Sequence, residues 1–211
     1  MIEDIYKIEE ELYKKGYKYI AGCDEAGRGP MAGPLVAAAV ILPVGYKLDF
    51  LNDSKKLTEK KREELYKKIY EDAIQVEYEI ISVSDVDKLN PLEASRLAME
   101  KSLSRMKKLD YVLTDCMDVK TKVPYESFIH GDARSASIAA ASIIAKVTRD
   151  HIMIELDKKY PEYELARHKG YVTKRHLELL EKYGVSDIHR KSYAPVKKIL
   201  EQNKDKEWKN I

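Results

Sequence analysis

Two adjacent carboxylates, Asp24 and Glu25, stand where an apolar segment gives way to a glycine-rich loop. Neighbouring acids raise each other's pKa unless a cation lies between them. Carboxylate oxygens are hard ligands, so a site of this kind favours Mg²⁺ or Mn²⁺ over zinc. The same residues also suit an acidic turn in which the glycines serve only the geometry of the chain, and the pattern alone does not separate the two interpretations.

A third and a fourth carboxylate have comparable settings. Asp115 ends another short apolar segment, and Asp132 precedes a long helical pattern. If the two apolar segments are neighbouring strands, Asp24 and Asp115 lie side by side at a sheet edge where ligands bind. Asp132 equally suits the cap or first turn of the helix, and Asp118 is interpreted as a turn acid. Four converging carboxylates would hold two divalent ions roughly 3.5–4 Å apart for phosphoryl transfer.

The elements that must position these acids follow from apolar periodicity. A continuously apolar stretch at 36–42 predicts a strand buried on both faces, and alternation at 76–80 predicts a half-exposed strand. Asn90 and Pro91 begin a helix whose predicted buried face is Leu92, Met99, Leu103 and Met106. The Ala-rich first half of the helix at 135–160 predicts close packing on a sheet. Further strands are predicted at 17–23, 111–114 and 125–129, and further helices at 58–73, 173–183 and 192–203.

Composition excludes several classes of protein. With 44% apolar and 35% charged residues among 211, the chain can bury a core, which excludes global disorder. No apolar run reaches the ~18 residues of a membrane span, and the N-terminus lacks the pattern of a secretory signal. Two cysteines exclude a disulfide scaffold. We therefore expect a cytoplasmic protein in which Cys23 and Cys116 are reduced and buried.

Positive charge is concentrated near the C-terminus. Residues 167–211 carry 12 Lys and Arg against 6 Asp and Glu, whereas the rest of the chain carries 26 against 30. A basic C-terminal fifth suits contact with nucleic acid, and it equally suits a solvated helical tail. Because strand patterns stop near residue 161, we predict a catalytic domain at 1–160 and a small, basic helical segment at 161–211.

Five ordered motifs make the chain resemble ribonuclease HII, the prokaryotic type 2 ribonuclease H. The similarity extends from about residue 17 to residue 195. The motifs are GCDEAGRGPMAGPLVAAAV at 22–40, NDSKKL at 52–57, LTD at 113–115, GDARSASIAAASIIAKVTRD at 131–150 and HKGYVTKRH at 168–176. The resemblance implies an α/β fold, the ribonuclease H-like mixed sheet flanked by helices, followed by a helical C-terminal segment.

The resemblance also implies a reaction. The family's metal-binding and catalytic carboxylates match Asp24, Glu25, Asp115 and Asp132, and the implied cofactor is Mg²⁺ or Mn²⁺. The implied activity is two-metal-ion hydrolysis of the RNA strand of RNA–DNA hybrids, with nicking 5′ of single ribonucleotides embedded in duplex DNA. The products would be a 3′-hydroxyl and a 5′-phosphate, as ribonucleotide excision requires.

The substrate-binding residues come from the resemblance as well. The stretch that senses the ribose matches Gly27, Arg28 and Gly29, whose backbone can approach a 2′-hydroxyl because no Cβ intervenes at the glycines. The ring that packs against the next sugar matches Tyr171. Cys116 departs from the family, in which a glycine often follows the third carboxylate.

Other polar residues have two interpretations. Lys55 and Lys56 suit either the phosphate backbone or a solvated surface. Three histidines are interpreted as polar or backbone-contacting residues, because two-metal hydrolysis needs no histidine base. They are His168, His176 and His189. Further candidates for phosphate contacts are Lys146, Arg149, Lys174, Arg175, Arg190 and Lys191.

Two alternatives stay open at this point. One is a non-catalytic protein that binds RNA–DNA hybrids, which four carboxylates facing phosphates would disfavour. The other is ribonuclease HIII, which usually has an extra N-terminal domain, whereas about 16 residues precede the first predicted strand here. We expect a monomer with no membrane partner.

Overall fold

The structure is a computed structural model that describes residues 4–49, 51 and 57–208, with side chains as far as residue 202. The strands are β1 Ile20–Ala26, β2 Leu35–Ile41, β3 Gln75–Ile81, β4 Tyr111–Asp115 and β5 Tyr125–Phe128. The helices are α1 Lys7–Lys14, α2 Glu59–Asp72, α3 Val83–Leu89, α4 Pro91–Ser104, α5 Ala136–Lys159, α6 Leu165–His168, α7 Lys174–Tyr183 and α8 Ala194–Trp208. No described helix is long and apolar enough to cross a bilayer.

The five strands form one mixed sheet in the order β3-β2-β1-β4-β5. β1 is antiparallel to β2 and parallel to β4, and β4 is parallel to β5. All seven residues of β2 are buried, as its unbroken apolar sequence predicts. The predicted α/β mixed sheet is confirmed, and it has the two acid-bearing strands, β1 and β4, as parallel neighbours.

Helix α5 lies against β1 with almost no space between the two backbones. A Cβ at Gly22 would clash with the backbone of Ser137 and Ile138. Residues 138–141 and 143–145 of the helix, mainly alanine and isoleucine, are buried. Small side chains on both surfaces therefore allow the close helix–sheet packing that the Ala-rich sequence predicts.

The start of α5 is held by a residue from the unpredicted helix α1. Glu9 is buried, and its Oε1 accepts hydrogen bonds from the Ser135 hydroxyl at 2.6 Å and the Ser137 N–H at 2.8 Å. Burial raises the pKa of the Glu9 carboxyl, and these hydrogen bonds partly offset the rise. The positive end of the α5 dipole favours the carboxylate at this place.

Helix α4 confirms its predicted start but not all of its predicted face. Asn90 Oδ1 accepts hydrogen bonds from the N–H groups of Leu92 and Glu93, as a cap should. Met99 and Leu103 are buried, whereas Leu92 is 49% exposed, so its predicted burial is wrong. Leu92 lies in the first turn, where Pro91 and Glu93 are also only partly buried and Ala94 is the first buried residue of the helix.

Strand β3 is half-exposed, as predicted, but its apolar side chains are the ones in contact with water. Tyr78 and Ile80 are exposed, while Glu77 and Glu79 form ion pairs with Arg105. β3 is an edge strand of the sheet, and its neighbour in the sheet is β2.

The described chain divides into two compact units. We call the first the sheet unit, within Met1–Ala26, Val36–Ile80 and Ser95–Thr148. We call the second the helical unit, within Gly27–Leu35, Ile81–Ala94 and Arg149–Ile211. The helical unit has its own buried clusters, in which Met31 and Ala32 of the loop after β1 pack with residues of α5, α7 and α8. The helical unit therefore includes the glycine-rich loop as well as the C-terminal helices.

Candidate active site

The carboxylates Asp24 and Asp115 lie side by side at one edge of the sheet unit. In the parallel β1–β4 pair, Gly22 is opposite Leu113 and Cys23 is opposite Thr114, so the next residue on each strand is an aspartate. Asp24 is only 6% exposed, and its Oδ1 accepts a hydrogen bond of 2.7 Å from the Glu25 N–H. The arrangement confirms that the two apolar segments are neighbouring strands.

The three acids at this edge repel one another. The pKa of Asp24 is raised well above its usual range, first by burial and then by the charge of Glu25, with a smaller effect of Asp115. A hydrogen bond from Ser142 on α5 opposes part of that rise. Buried like charges favour either protonation or a bound cation, which makes this edge electrostatically suited to a metal ion.

The fourth acid, Asp132, follows a glycine that is bonded to Asp115. The Gly131 N–H donates to Asp115 Oδ1 at 2.7 Å, and Asp132 itself is buried. A Cβ at Gly131 would lie 2.7 Å from Cδ1 of Ile138 and 3.3 Å from the Thr114 carbonyl oxygen, so the glycine lets this turn pack closely against α5 and β4. The alternative that Asp132 caps α5 is wrong, because the Ser135 hydroxyl accepts from the Ile138 N–H at 3.2 Å.

The donor set fits a hard divalent cation. Cys23 is buried, and burial raises the pKa of its thiol. The acids at this edge present carboxylate oxygens, which are hard ligands. Among the described residues, no three His, Cys, Asp or Glu side chains form a ready-made cage for an ion. Mg²⁺ suits such a site because it is usually held by one or two carboxylates together with waters and substrate phosphates.

Cys116 has the backbone that a glycine would adopt more easily. Its φ is +51°, in the left-handed region, and its N–H donates to the Phe128 carbonyl at 2.9 Å. The side chain is exposed, so the prediction that both cysteines are buried is wrong for Cys116. The chain thus leaves β4 through a residue in the left-handed conformation, which a glycine would adopt at less cost.

In the helical unit, two buried arginines hold the glycine-rich loop by its carbonyl groups. Arg149 donates to the carbonyl oxygens of Pro34 at 3.0 Å and Ala32 at 3.1 Å. Arg190 donates to the Gly33 carbonyl through Nε and Nη2, at 3.0 and 2.8 Å. Both side chains are 0% exposed. The interpretation of these two arginines as phosphate contacts is therefore wrong, because the carbonyl groups occupy their donors.

The same arginines set the course of residues 27–29, the segment predicted to sense the ribose. Gly27 has φ +104°, and a Cβ there would lie 2.5 Å from Nε of Arg149. The Arg28 carbonyl accepts from Arg190 and from the Tyr193 hydroxyl, while the Arg28 side chain and Gly29 are exposed. The carbonyl group thus faces inward, and the Arg28 side chain is at the surface.

Tyr171 belongs to the same surface as Gly29. Its ring is 43% exposed, and a Cβ built on Gly29 would lie 4.0 Å from its Cε1. The Met31 N–H donates to the Gly170 carbonyl at 3.0 Å, which joins the two loops. The Arg149 guanidinium lies 5.8 Å from the centroid of the Tyr171 ring. Three predicted substrate residues, Gly27, Gly29 and Tyr171, are therefore brought together.

Other predicted contacts have different outcomes. Lys55 and Lys56 lie outside the described residues. Arg175 forms an ion pair with Glu164, with Nε 3.1 Å from each carboxylate oxygen. The three histidines contact the backbone, as predicted: His168 at the Tyr163 carbonyl, His176 at the Tyr171 carbonyl and His189 at the Ser186 N–H.

Sequence reasoning missed the structural role of Arg149 and Arg190. Arginine is usually exposed, so neither position carries a local signal of burial. The sequence shows only that Arg149 lies inside a motif and that Arg190 follows His189. The role becomes visible only when the carbonyl groups that need donors are located.

Comparison with known proteins identifies the family and the fold of the chain. A family model for ribonuclease HII matches residues 21–196. Ribonuclease HII of Acholeplasma laidlawii is 54% identical over 203 residues, covering 96% of this chain and 100% of the relative. The crystal structure of ribonuclease H2 from Pyrococcus horikoshii OT3 has a TM-score of 0.76 at 28% identity, covering 87% and 97% of the two chains. Bst-RNase HIII in complex with Mn²⁺ is similar in fold alone, at TM-score 0.63 and 16% identity over 89% and 71%.

Replacing Arg149 with methionine should destabilise the protein strongly. The variant leaves buried carbonyl groups of the loop without donors, and each such group costs about 1–3 kcal/mol. We expect a loss of about 3 kcal/mol or more in the free energy of unfolding, measured by urea denaturation. Arg175→Met is the matched control, since that exposed side chain can be lost with little change. Equal effects of the two variants would contradict the loop-holding role.

The buried histidines should make the protein less stable in mild acid. Burial lowers the pKa of His176 and of His189 to about 4. The unfolded chain takes up these protons near pH 6.5 and the folded chain does not, so stability falls as pH drops from 6.5 towards 4. Between pH 7 and pH 5 the unfolding free energy of the wild type should fall by about 2 kcal/mol more than that of His189→Gln. A pH-independent difference in parallel denaturation series would refute neutral burial of His189.

Proposed function

The chain belongs to the ribonuclease HII family, and we propose that Asp24, Glu25, Asp115 and Asp132 are the catalytic residues of its reaction. Enzymes of this family hydrolyse RNA in RNA–DNA hybrids and at ribonucleotides embedded in DNA, and this protein is such a phosphodiester-hydrolysing endonuclease. The observation that carries the proposal is the parallel β1–β4 pair, which ends in Asp24 and Asp115 at one sheet edge.

The four carboxylates are proposed to bind two divalent ions, Mg²⁺ or Mn²⁺. Family members use divalent metals. When bound, the ions supply Lewis-acid chemistry, lowering the pKa of water and neutralising charge on the phosphate. Asp24, held by the Glu25 N–H, and Asp115, held by the Gly131 N–H, keep their carboxylates oriented before substrate arrives. This orientation limits reorganisation during in-line displacement that leaves a 3′-hydroxyl and a 5′-phosphate.

We propose that the ribonucleotide is recognised by Gly27, Arg28, Gly29 and Tyr171. The 2′-hydroxyl is both a donor and an acceptor and is the only difference between RNA and DNA at a nucleotide's sugar. A loop without Cβ atoms at Gly27 and Gly29 lets backbone groups reach it. The exposed Arg28 side chain is suited to a phosphate, and the half-exposed Tyr171 ring to the face of the next sugar.

The remaining parts of the proposal concern the partner and setting of the enzyme. Its partners are RNA–DNA hybrids and ribonucleotide-containing duplex DNA, and we propose that 161–211 and Lys55 and Lys56 add sequence-independent phosphate contacts. We propose that the enzyme acts as a monomer. Cys23 and Cys116 are free thiols, which suits the reducing cytoplasm.

The two alternative functions, a non-catalytic hybrid-binding protein and ribonuclease HIII, are less favoured than ribonuclease HII. A non-catalytic hybrid-binding protein would gain nothing from carboxylates that repel phosphates, and the family is enzymatic. Ribonuclease HIII shares the fold at 16% identity, whereas ribonuclease HII sequences reach 54%.

Asp24→Asn and Asp115→Asn should each abolish cleavage without unfolding the protein. Each variant removes one charged ligand, and losing a single electrostatic group of an active site costs about 10²–10³-fold or more. The measurement is nicking of a duplex with one ribonucleotide in Mg²⁺, in Mn²⁺ and with chelator. Asp118→Asn, at an exposed acid near Asp115, is the matched control and should keep full activity. Metal-dependent cleavage at normal rate by Asp24→Asn would refute the assignment.

Tyr171→Ala should harm cutting at a single embedded ribonucleotide more than cutting of a long hybrid. The ring is proposed to contact the sugar beyond the ribonucleotide, and losing that contact should lower kcat/KM about tenfold more on the single-ribonucleotide duplex. Tyr171→Phe keeps the ring and should retain the wild-type ratio of the two rates. Equal losses on both substrates in Tyr171→Ala would count against sugar packing.

A further inference from the structure

Three buried histidines form a continuous chain of contacts beneath Tyr171 in the helical unit. The rings of His168 and His176 are stacked, with centroids 4.1 Å apart. Nε2 of His176 lies 3.2 Å from Nε2 of His189. All three side chains are buried. The cluster contributes no group to the hydrolysis proposed above, so its burial requires another explanation.

The partners of His168 fix where its ring proton lies. The Gly170 N–H donates to His168 Nδ1 at 3.2 Å, so that nitrogen must accept. Nε2 of His168 lies 2.8 Å from the Tyr163 carbonyl oxygen, which can only accept. His168 therefore carries its proton on Nε2.

The same reasoning continues through the other two rings. Nδ1 of His176 lies 3.0 Å from the Tyr171 carbonyl oxygen and must carry a proton, which leaves Nε2 as the acceptor of a neutral ring. His189 must then donate from Nε2, and its Nδ1 accepts from the Ser186 N–H at 3.2 Å and the Ser186 hydroxyl at 3.0 Å. Each nitrogen has one consistent role when all three rings are neutral.

The backbone held by this chain is a strained one. Lys169 has φ +49° and Gly170 has φ +80°, both in the left-handed region, which costs about 1–2 kcal/mol for a non-glycine residue. His168 accepts from the N–H of Gly170, and His176 donates to the carbonyl of Tyr171. Arg149 donates to the Lys169 carbonyl at 2.9 Å. The turn that presents Tyr171 is therefore held at three successive residues by buried side chains.

We propose that His168 and His176, with His176 oriented by His189, are positioning residues that fix Tyr171 for recognition of the substrate sugar. The proposal rests on the proposed function of Tyr171. It assigns the histidines no proton transfer. A neutral imidazole suits the role because it offers one donor and one acceptor in fixed directions, so the direction of each hydrogen bond determines the next.

The ring protons give a test that is independent of activity. Nitrogen-15 NMR at neutral pH should show His168 and His189 protonated on Nε2 and His176 protonated on Nδ1, all neutral. His151, whose side chain is exposed, serves as an internal reference. A charged His176, or a proton on its Nε2 in place of Nδ1, would overturn the proposed relay.

Amide replacements at His176 separate positioning from general stability. An asparagine amide can replace the Nδ1 donor to the Tyr171 carbonyl, whereas a glutamine amide extends towards the Nε2 position. We expect His176→Ala and His176→Gln to lower the ratio of single-ribonucleotide to hybrid kcat/KM about tenfold, as Tyr171→Ala does, and His176→Asn to restore most of it. His151→Ala is the matched control and should leave the ratio unchanged.

A double variant distinguishes failure of this proposal from failure of the proposed function. In the Tyr171→Ala background, His176→Ala should change the ratio no further, because the ring it positions is absent. If His176→Ala lowers both rates equally, the histidines serve stability alone and the positioning role is wrong. If Tyr171→Ala itself leaves the ratio unchanged, the proposed function of Tyr171 is wrong, and the positioning proposal fails with it even where the nitrogen pattern is as expected.

Discussion

The constraint on which the site depends is the parallel pairing of β1 with β4. In a parallel pair both strands end at the same edge, so Asp24 and Asp115 are brought together although 91 positions separate them in the chain. Burial makes that proximity unfavourable for two charged groups. Hydrogen bonds from backbone N–H groups partly compensate, and a divalent cation would compensate further. The fold thus holds together acids whose repulsion either protonation or a bound cation would relieve.

The loop that follows β1 is organised by a different interaction. Carbonyl groups of Arg28, Ala32, Gly33 and Pro34 are all bonded to buried guanidinium groups. No carboxylate contact is needed, because five N–H donors in a rigid fork satisfy several carbonyl groups at once. Glycines at tight points then let the backbone follow the arginines closely. The proposed catalytic acids and the proposed recognition loop consequently depend on two separate sets of buried polar contacts.

Much of this arrangement was predictable from local sequence. The unbroken apolar run of β2, the cap at Asn90, the Ala-rich face of α5 and the acids at two strand ends all follow from residue type and spacing. Local sequence did not predict the roles of Glu9, Arg149 and Arg190, because their partners are distant backbone groups that no local pattern identifies. Leu92 and Cys116 were misplaced for the related reason that exposure depends on what the rest of the fold covers. Residues that act through tertiary hydrogen bonds are therefore the ones that sequence reasoning misses.

The central claim is that acids from three separate segments share one divalent-metal site. The most direct measurement is a Mn²⁺ titration followed by paramagnetic broadening of backbone amide signals in the nitrogen-15-labelled protein. The account predicts that the amides of Glu25, Cys116 and Ala133 broaden together at the same Mn²⁺ concentrations. Broadening at only one of these segments, or first at a distant acidic surface, would contradict a shared site.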